Sequence, residues 1–294
     1  MRFRFMKSLV VFILGFFLFS GCIKNNENPS WIEINTWKLN FNPDIVDDQG
    51  ELTHNFTDAW IYADGQLVGV FELPVKLPIL KEGATHFKIL PAIHNNGISA
   101  TKKAYPFVEA YELDVNLVRD EKIVINPETK YYSNVKFWIE DFEDASIKFV
   151  PDPTSTAILM AENDPTILKY GLQYGAVHLT TENSTFYAYN SDSDNLLLPK
   201  QGAQVYLEVD YRSSNSLVTG VIEVSPATIK NHPNVQMNAQ DISGPIWKKI
   251  YIDMQEIVTG TPNAEYYKIS LSALLDDGGI NRDIIVDNIK VIYF

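Results

Sequence analysis

From Trp31 onward, short runs in which apolar and polar residues alternate are separated by turns bearing Gly, Pro, Asn and Asp. A period of two predicts strands that bury one face. In the first part of the chain such runs fall at 59–62, 68–73, 86–90, 115–117 and 123–125. Asp64-Gly65 between Trp60-Ile61-Tyr62-Ala63 and Gln66-Leu67-Val68 predicts a hairpin, because a two-residue turn of this kind needs positive φ. Glu82-Gly83 and Asn96-Gly97 mark further turns. The polar stretch 126–130 reads as a domain boundary. Beyond it, strands are expected at 136–139, 176–180, 185–189, 204–211, 217–224, 248–254, 266–271 and 283–294. Helical periodicity is confined to the 160s and the 270s, and both stretches are short. The pattern therefore predicts an all-β chain of two β-sandwich domains in tandem, 31–127 and 131–294. The number and spacing of strands in the second suit a two-sheet jelly roll.

The first thirty residues follow another rule. Arg2, Arg4 and Lys7 precede an apolar run from Leu9 to Phe19, then Ser20, Gly21 and the chain's single cysteine, Cys22. A basic start, a short apolar run and small residues are the parts of a secretory signal. At about 1.5 Å per residue the run makes roughly 17 Å of helix, short of the roughly 30 Å hydrocarbon core. Phe19-Ser20-Gly21-Cys22 resembles a bacterial lipobox, with Phe where Leu is usual. That resemblance implies removal of residues 1–21 and acylation (palmitate or a related chain) of Cys22; a plain signal peptide is the alternative. Each buried methylene contributes about 0.8 kcal/mol, so several chains on one cysteine anchor a protein stably. Residues 22–30 read as a polar tether. Ile23 rather than Asp follows Cys22; by the same resemblance this favours the outer membrane, with the leaflet left open.

Composition narrows the function. The net charge is −13, and the leader holds three of the positive charges, so the remainder is more acidic still. Such a chain repels nucleic-acid phosphates and anionic lipid headgroups. Tyr (15) and Phe (16) dominate the aromatics, a mixture that favours sheet. With its only thiol assigned to the anchor, the chain has none left for a disulfide, a metal or a nucleophile.

Two resemblances bear on the domains. Ala59 through Gly69, then Leu73-Pro74, Leu80-Lys81-Glu82-Gly83 and Ile89-Leu90-Pro91, resembles a PEGA-type β-sandwich repeat, which implies a structural spacer. Glu140-Asp141-Phe142-Glu143, Gly175–Thr180 with Phe186, Val205–Tyr211, Trp247–Met254 and Val286-Asp287-Asn288-Ile289-Lys290-Val291 resemble the jelly roll of carbohydrate-binding modules and galactose-binding-like domains. The whole chain is similar to surface lipoproteins of the Bacteroidota type.

Candidate chemistry follows from these readings. The jelly-roll resemblance implies a structural calcium (Ca2+) where the first and last strands adjoin, with Asp141, Glu143 and Asp287 as hard oxygen ligands; a solvated acidic strand end is the alternative. Sugar binding needs exposed aromatic faces beside polar groups. Tyr187 and Tyr189 share one face of their strand, opposite Phe186 and Ala188. Tyr206, Glu208 and Asp210 share the face opposite Val205, Leu207 and Val209, and they form a second candidate row with Tyr251 and Asp253 on another strand. No nucleophile elbow, zinc-protease helix or phosphate-cradling loop occurs, and the five histidines never pair at ligand spacing. The expectation is a non-catalytic, lipid-anchored envelope protein that binds polysaccharide; the alternative is an assembly lipoprotein that docks a protein partner.

Overall fold

The computed structural model describes residues 27–294; the apolar leader and Cys22 lie outside the described residues. Ten strands build the first domain: β1 (Ser30–Ile34), β2 (Lys38–Asn40), β3 (Asp58–Ala63), β4 (Gln66–Glu72), β5 (Val75–Ile79), β6 (Gly83–His94), β7 (Lys102–Ala104), β8 (Tyr111–Leu117), β9 (Lys122–Ile125) and β10 (Glu128–Lys130). One sheet runs β4-β3-β6, with β7 and β8 end to end on the free edge of β6; another runs β5-β1-β9. Ile32 and Ile34 of β1, Ile61 of β3 and Phe87 and Ile89 of β6 meet between them as the core. The β3–β4 hairpin turns on Asp64 and Gly65, at φ +50° and +77°, as the sequence predicts.

The expected boundary is itself structured. Glu128–Lys130 forms β10, paired parallel with β2, and Tyr131 is buried in the first core. The second domain comprises β11 (Lys136–Glu140), β12 (Phe149–Pro151), β13 (Met160–Glu162), β14 (Tyr174–Thr180), β15 (Thr185–Asn190), β16 (Val205–Ser213), β17 (Leu217–Val224), β18 (Ile229–Met237), β19 (Lys248–Asp253), β20 (Tyr266–Leu274) and β21 (Asn281–Tyr293), with one short helix, α1 (Gln255–Gly260). A six-stranded sheet runs β13-β14-β21-β16-β19, with β11 also on β21, and a five-stranded sheet runs β12-β15-β20-β17-β18. Val205, Leu207 and Val209 of one sheet face Phe186, Ala188, Ile269 and Leu271 of the other, giving the two-sheet sandwich of a jelly roll.

The helices expected in the 160s and 270s do not form. Residues 160–162 are strand β13, 163–169 are turn and irregular backbone, and 270–274 belong to β20, flanked by β15 and β17. Ladder bonds on both edges hold Tyr266–Leu274 extended, and alternation buries Ile269, Leu271 and Ala273. Among the described residues the one α-helix, α1, was not signalled by periodicity, since it is six residues long and buries only Val258.

β21 carries a register shift against β16 between Glu208 and Asp210, opposite Asn288, whose φ is +47°. The extra residue switches which parity faces the core, from Ile284 and Val286 before it to Ile289 and Val291 after it. Lys290 and Ile292 thus point outward, toward the first domain. There Phe56, Tyr105 and Phe107 pack on Tyr206, Tyr251 and Ile292, with Tyr105 ring centroids 5.0 Å from Tyr251 and 5.8 Å from Tyr206. The first domain therefore covers the outer face of the six-stranded sheet around Tyr206, Tyr251 and Ile292. Ile167, Leu168 and Trp247 of the second domain itself cover Tyr174, Ala176 and Ile285. The outer face of the five-stranded sheet is left open.

Candidate functional site

The two expected aromatic rows part company. Alternation does place Tyr206, Glu208 and Asp210 on the outward face of β16, but that face is the domain interface and all three are buried. The Tyr105 hydroxyl donates to Glu208, and Lys249 lies 2.8 Å from Glu208 and 3.6 Å from Asp210. Thr53 of the first domain donates to Asp210 at 2.5 Å and accepts from Lys249 at 2.9 Å. Burial pulls the Lys249 ammonium down, yet Asp210 and Glu208 outweigh it and hold its pKa above the usual lysine range. Tyr206 is held above the usual phenol range first by burial, then by Asp253. The expectation of a solvent-facing row here is corrected: these residues join the domains.

Tyr187 and Tyr189 sit differently. β15 buries Phe186 and Ala188 in the core and presents both tyrosines, half-buried, on the outer face of the five-stranded sheet. Their ring centroids are 6.0 Å apart and close to perpendicular, at 69°. Neither hydroxyl is hydrogen-bonded to another described residue. The pair walls a groove of about 480 Å³, whose other lining includes Asp152, Ile222, Asn231, Tyr266 and Lys268. A second hollow of about 400 Å³ shares Tyr187 and Asn231 and extends it past Ser272 and Leu274.

Strand register explains why the groove is there. Tyr189 faces Ser270, Ser270 faces Gly220, and Gly220 faces Pro233, so small residues separate the tyrosine wall from β18. A Cβ on Gly220 would lie 2.5 Å from Ser270 Oγ and 2.6 Å from Asn231 Oδ1. Glycine therefore lets Ser270 Oγ donate to Asn231 Oδ1, at 3.0 Å, which leaves the Asn231 amide nitrogen to donate elsewhere. One position along, Lys268 Nζ lies 5.1 Å from the Tyr189 ring centre and pairs with the exposed Asp192. Carboxylates, an ammonium, an amide and two phenols thus border an aromatic wall. Such a groove can stack a flat, hydroxyl-rich ligand and hydrogen-bond its edges.

Lys268, Asn231 and Tyr266 were not picked out from the sequence. β18 has Pro233 within it, which argues against a strand; Pro is tolerated because β18 is an edge. With β18 unplaced, nothing in the chain marks Asn231 as the neighbour of β17.

Asp141, Glu143 and Asp287 come together at one cavity of about 250 Å³, with Asp48 and Glu51 of the first domain. β11 pairs with the end of β21, so the strand that leads to Asp141 lies beside the one that carries Asp287. Phe142, at φ +61°, drives its ring into the core over Gly175, where a Cβ would lie 2.3 Å from the ring. The Glu143 carboxylate accepts from the Leu172 and Gln173 amides at 2.6 and 2.9 Å. Among the described residues no three His, Cys, Asp or Glu side chains stand at metal-ligand spacing. The donors present are hard oxygens of the kind calcium takes. Asn288, fully buried at the same cavity, has neither side-chain polar atom hydrogen-bonded among the described residues.

No protein-family model matches the chain, and no curated protein matches its sequence. Solved structures with some likeness include the CBM22-2 xylan-binding domain from Paenibacillus barcinonensis Xyn10C, at TM-score 0.38 and 12% identity, covering 53% of this chain and 99% of that one. The enzymatically active domain of tailspike protein 4 from bacteriophage CBA120 gives TM-score 0.38 and 11% identity, over 51% of this chain and 20% of that one. The C-terminal family 22 carbohydrate binding module of Clostridium thermocellum Xyn10B gives 0.36 and 12%, over 53% and 92%. Likenesses this remote carry no functional argument, which must rest on the groove.

Proposed function

We propose that this chain is a membrane-anchored envelope lipoprotein, lipidated at Cys22, that binds carbohydrate without catalysis in the groove walled by Tyr187 and Tyr189. The observation that carries the reading is that tyrosine pair: half-buried rings with unspent hydroxyls, beside Asn231, Lys268 and Asp152. The first sandwich serves as the spacer between anchor and jelly roll. It occupies the sheet away from the groove and so leaves the groove free. The outer membrane is the location this reading favours. In the same reading Asp141, Glu143 and Asp287, with the Asn288 amide oxygen, hold a structural calcium ion. Support comes from the buried, unpartnered Asn288 side chain at the cavity the three carboxylates line.

The test is calorimetric titration of the full chain, in mild detergent, with a panel of neutral polysaccharides. Saturable binding is expected. Tyr187→Ala and Tyr189→Ala should each weaken it roughly tenfold or more, the loss of a buried ring face. A folded protein that binds nothing across the panel overturns the reading in favour of docking a protein partner. Binding that survives both substitutions removes it from this groove.

A further inference from the structure

A second cleft, of about 360 Å³, opens where the two domains meet, beside the six-stranded sheet and away from the tyrosine groove. The first domain contributes His54 and His94 to its wall, and the second contributes Lys169, Tyr170, Tyr211, Trp247 and Lys248. Its chemistry differs from that of the groove in two respects.

The first is charge. The chain is strongly acidic, yet this wall presents two exposed ammonium groups, Lys169 and Lys248, and neither is paired with a carboxylate among the described residues. Asp210 at the base does not neutralise them, because its carboxylate is spent on Thr53 and Lys249. His54 adds no charge of its own. Burial, then the nearby Lys249 charge, holds its pKa below the usual histidine range, so it is a neutral hydrogen-bonding group at physiological pH.

The second is a fixed aromatic wall. The Trp247 indole N–H donates to the Ile167 carbonyl at 2.8 Å, which pins the ring. Tyr170 stands edge-on to it with centroids 6.3 Å apart, and Lys169 Nζ lies 5.0 Å from the centre of the Tyr170 ring. Rings at one side and unpaired cations at the mouth suit a ligand with an apolar ring face and an anionic substituent. In water, two ammonium groups left without partners are poised to gain charge-assisted hydrogen bonds from such an anion.

We infer that this interdomain cleft is a binding site for a carboxylate-bearing sugar ring, a uronic acid unit of an acidic saccharide. The site does not depend on the tyrosine groove, which lies on the other sheet. It does need both domains, because His54 and His94 reach it from the first and the lysines from the second.

The test is calorimetric titration of the full chain in mild detergent with an oligogalacturonate, alongside the same oligomer with its carboxylates reduced to primary alcohols. The acid form should bind saturably, and reduction should weaken binding about tenfold or more. The double variant Lys169→Gln/Lys248→Gln, at exposed positions that leave folding intact, should weaken the acid form to a similar degree. Trp247→Phe should weaken both forms alike, and Tyr187→Ala should change neither. No binding of the oligogalacturonate, equal affinity for the reduced oligomer, or indifference to the lysine substitutions overturns the inference. Loss of binding in Tyr187→Ala instead assigns the acidic sugar to the groove and overturns it equally.

Discussion

Burial, then the charges of Asp210, Asp141 and Glu143, push the Asp287 carboxyl up to about 8, against one opposing hydrogen bond from the Asn288 amide. The unfolded chain releases this proton near 3.9 or so, as ordinary aspartate does. Between those values the folded state binds more protons than the unfolded one, so stability falls as pH rises through that window. A calcium ion at the cavity would compete with the proton and stabilise the ionised form. Metal-free protein should therefore lose melting temperature between about pH 5 and pH 8, and added calcium should restore it most at the upper end. Asp287→Asn should flatten the slope and abolish the calcium response in a thermal melt. A melting curve indifferent to pH and calcium would remove the ion from the account. The three carboxylates were legible as a group because the first and last strands of a jelly roll adjoin. Asn288 was not, since its place depends on a bulge that pairing with β16 creates.

β13, three residues long, is stitched to its sheet by more than its ladder. His178 on β14 lies 2.7 Å from Asp283 of β21 and 2.8 Å from Glu162 of β13, so one imidazole spans three strands. Burial opposes its charge, but the hydrogen bonds to Asp283 and Glu162 outweigh it and raise its pKa. A histidine raised in the folded state adds stability fully below its unfolded value, about 6.5, and loses it as pH climbs through the folded value. The His178 ring resonances, followed by NMR against pH, should titrate above an ordinary histidine. In Glu162→Gln/Asp283→Asn that shift should vanish, and amide exchange in 160–162 should quicken; an unshifted titration in the native chain would refute the bridge. Sequence reading missed β13 because three residues carry no period. It misread the 270s because Leu271, Leu274 and Leu275 fit helical spacing as well as Leu271 and Ala273 fit alternation. Flanking strands decided for the sheet.

The two domains are joined through Glu208, Asp210, Lys249 and Lys290, all buried. Lys290 donates to the Gln49 and Glu51 carbonyls, and burial, then the Lys249 charge, lowers its pKa to about 8. Replacing one partner of such a set leaves the others charged and unpaired. Lys249→Met should cost about 3–5 kcal/mol in urea unfolding. The exposed neighbour Lys248→Gln should stay within about 0.5 kcal/mol. Equal effects from the two would mean that Lys249 is not held, buried, as the partner of Glu208 and Asp210 between the domains.

What the sequence determined alone is the β class, the hairpin at Asp64-Gly65, most of the long strands and which side chains share a face. These follow from the two-residue repeat of the extended backbone and the conformational needs of a few turn residues, which are local. Which face meets water is not local. Tyr187 and Tyr206 occupy equivalent outward positions on their strands, yet one borders an open groove and the other is sealed beneath Tyr105 and Phe107. The difference lies in contacts such as Thr53 to Asp210, made across 157 positions of chain. Only the tertiary structure could decide it, because a pleat orients a side chain but does not choose what covers it.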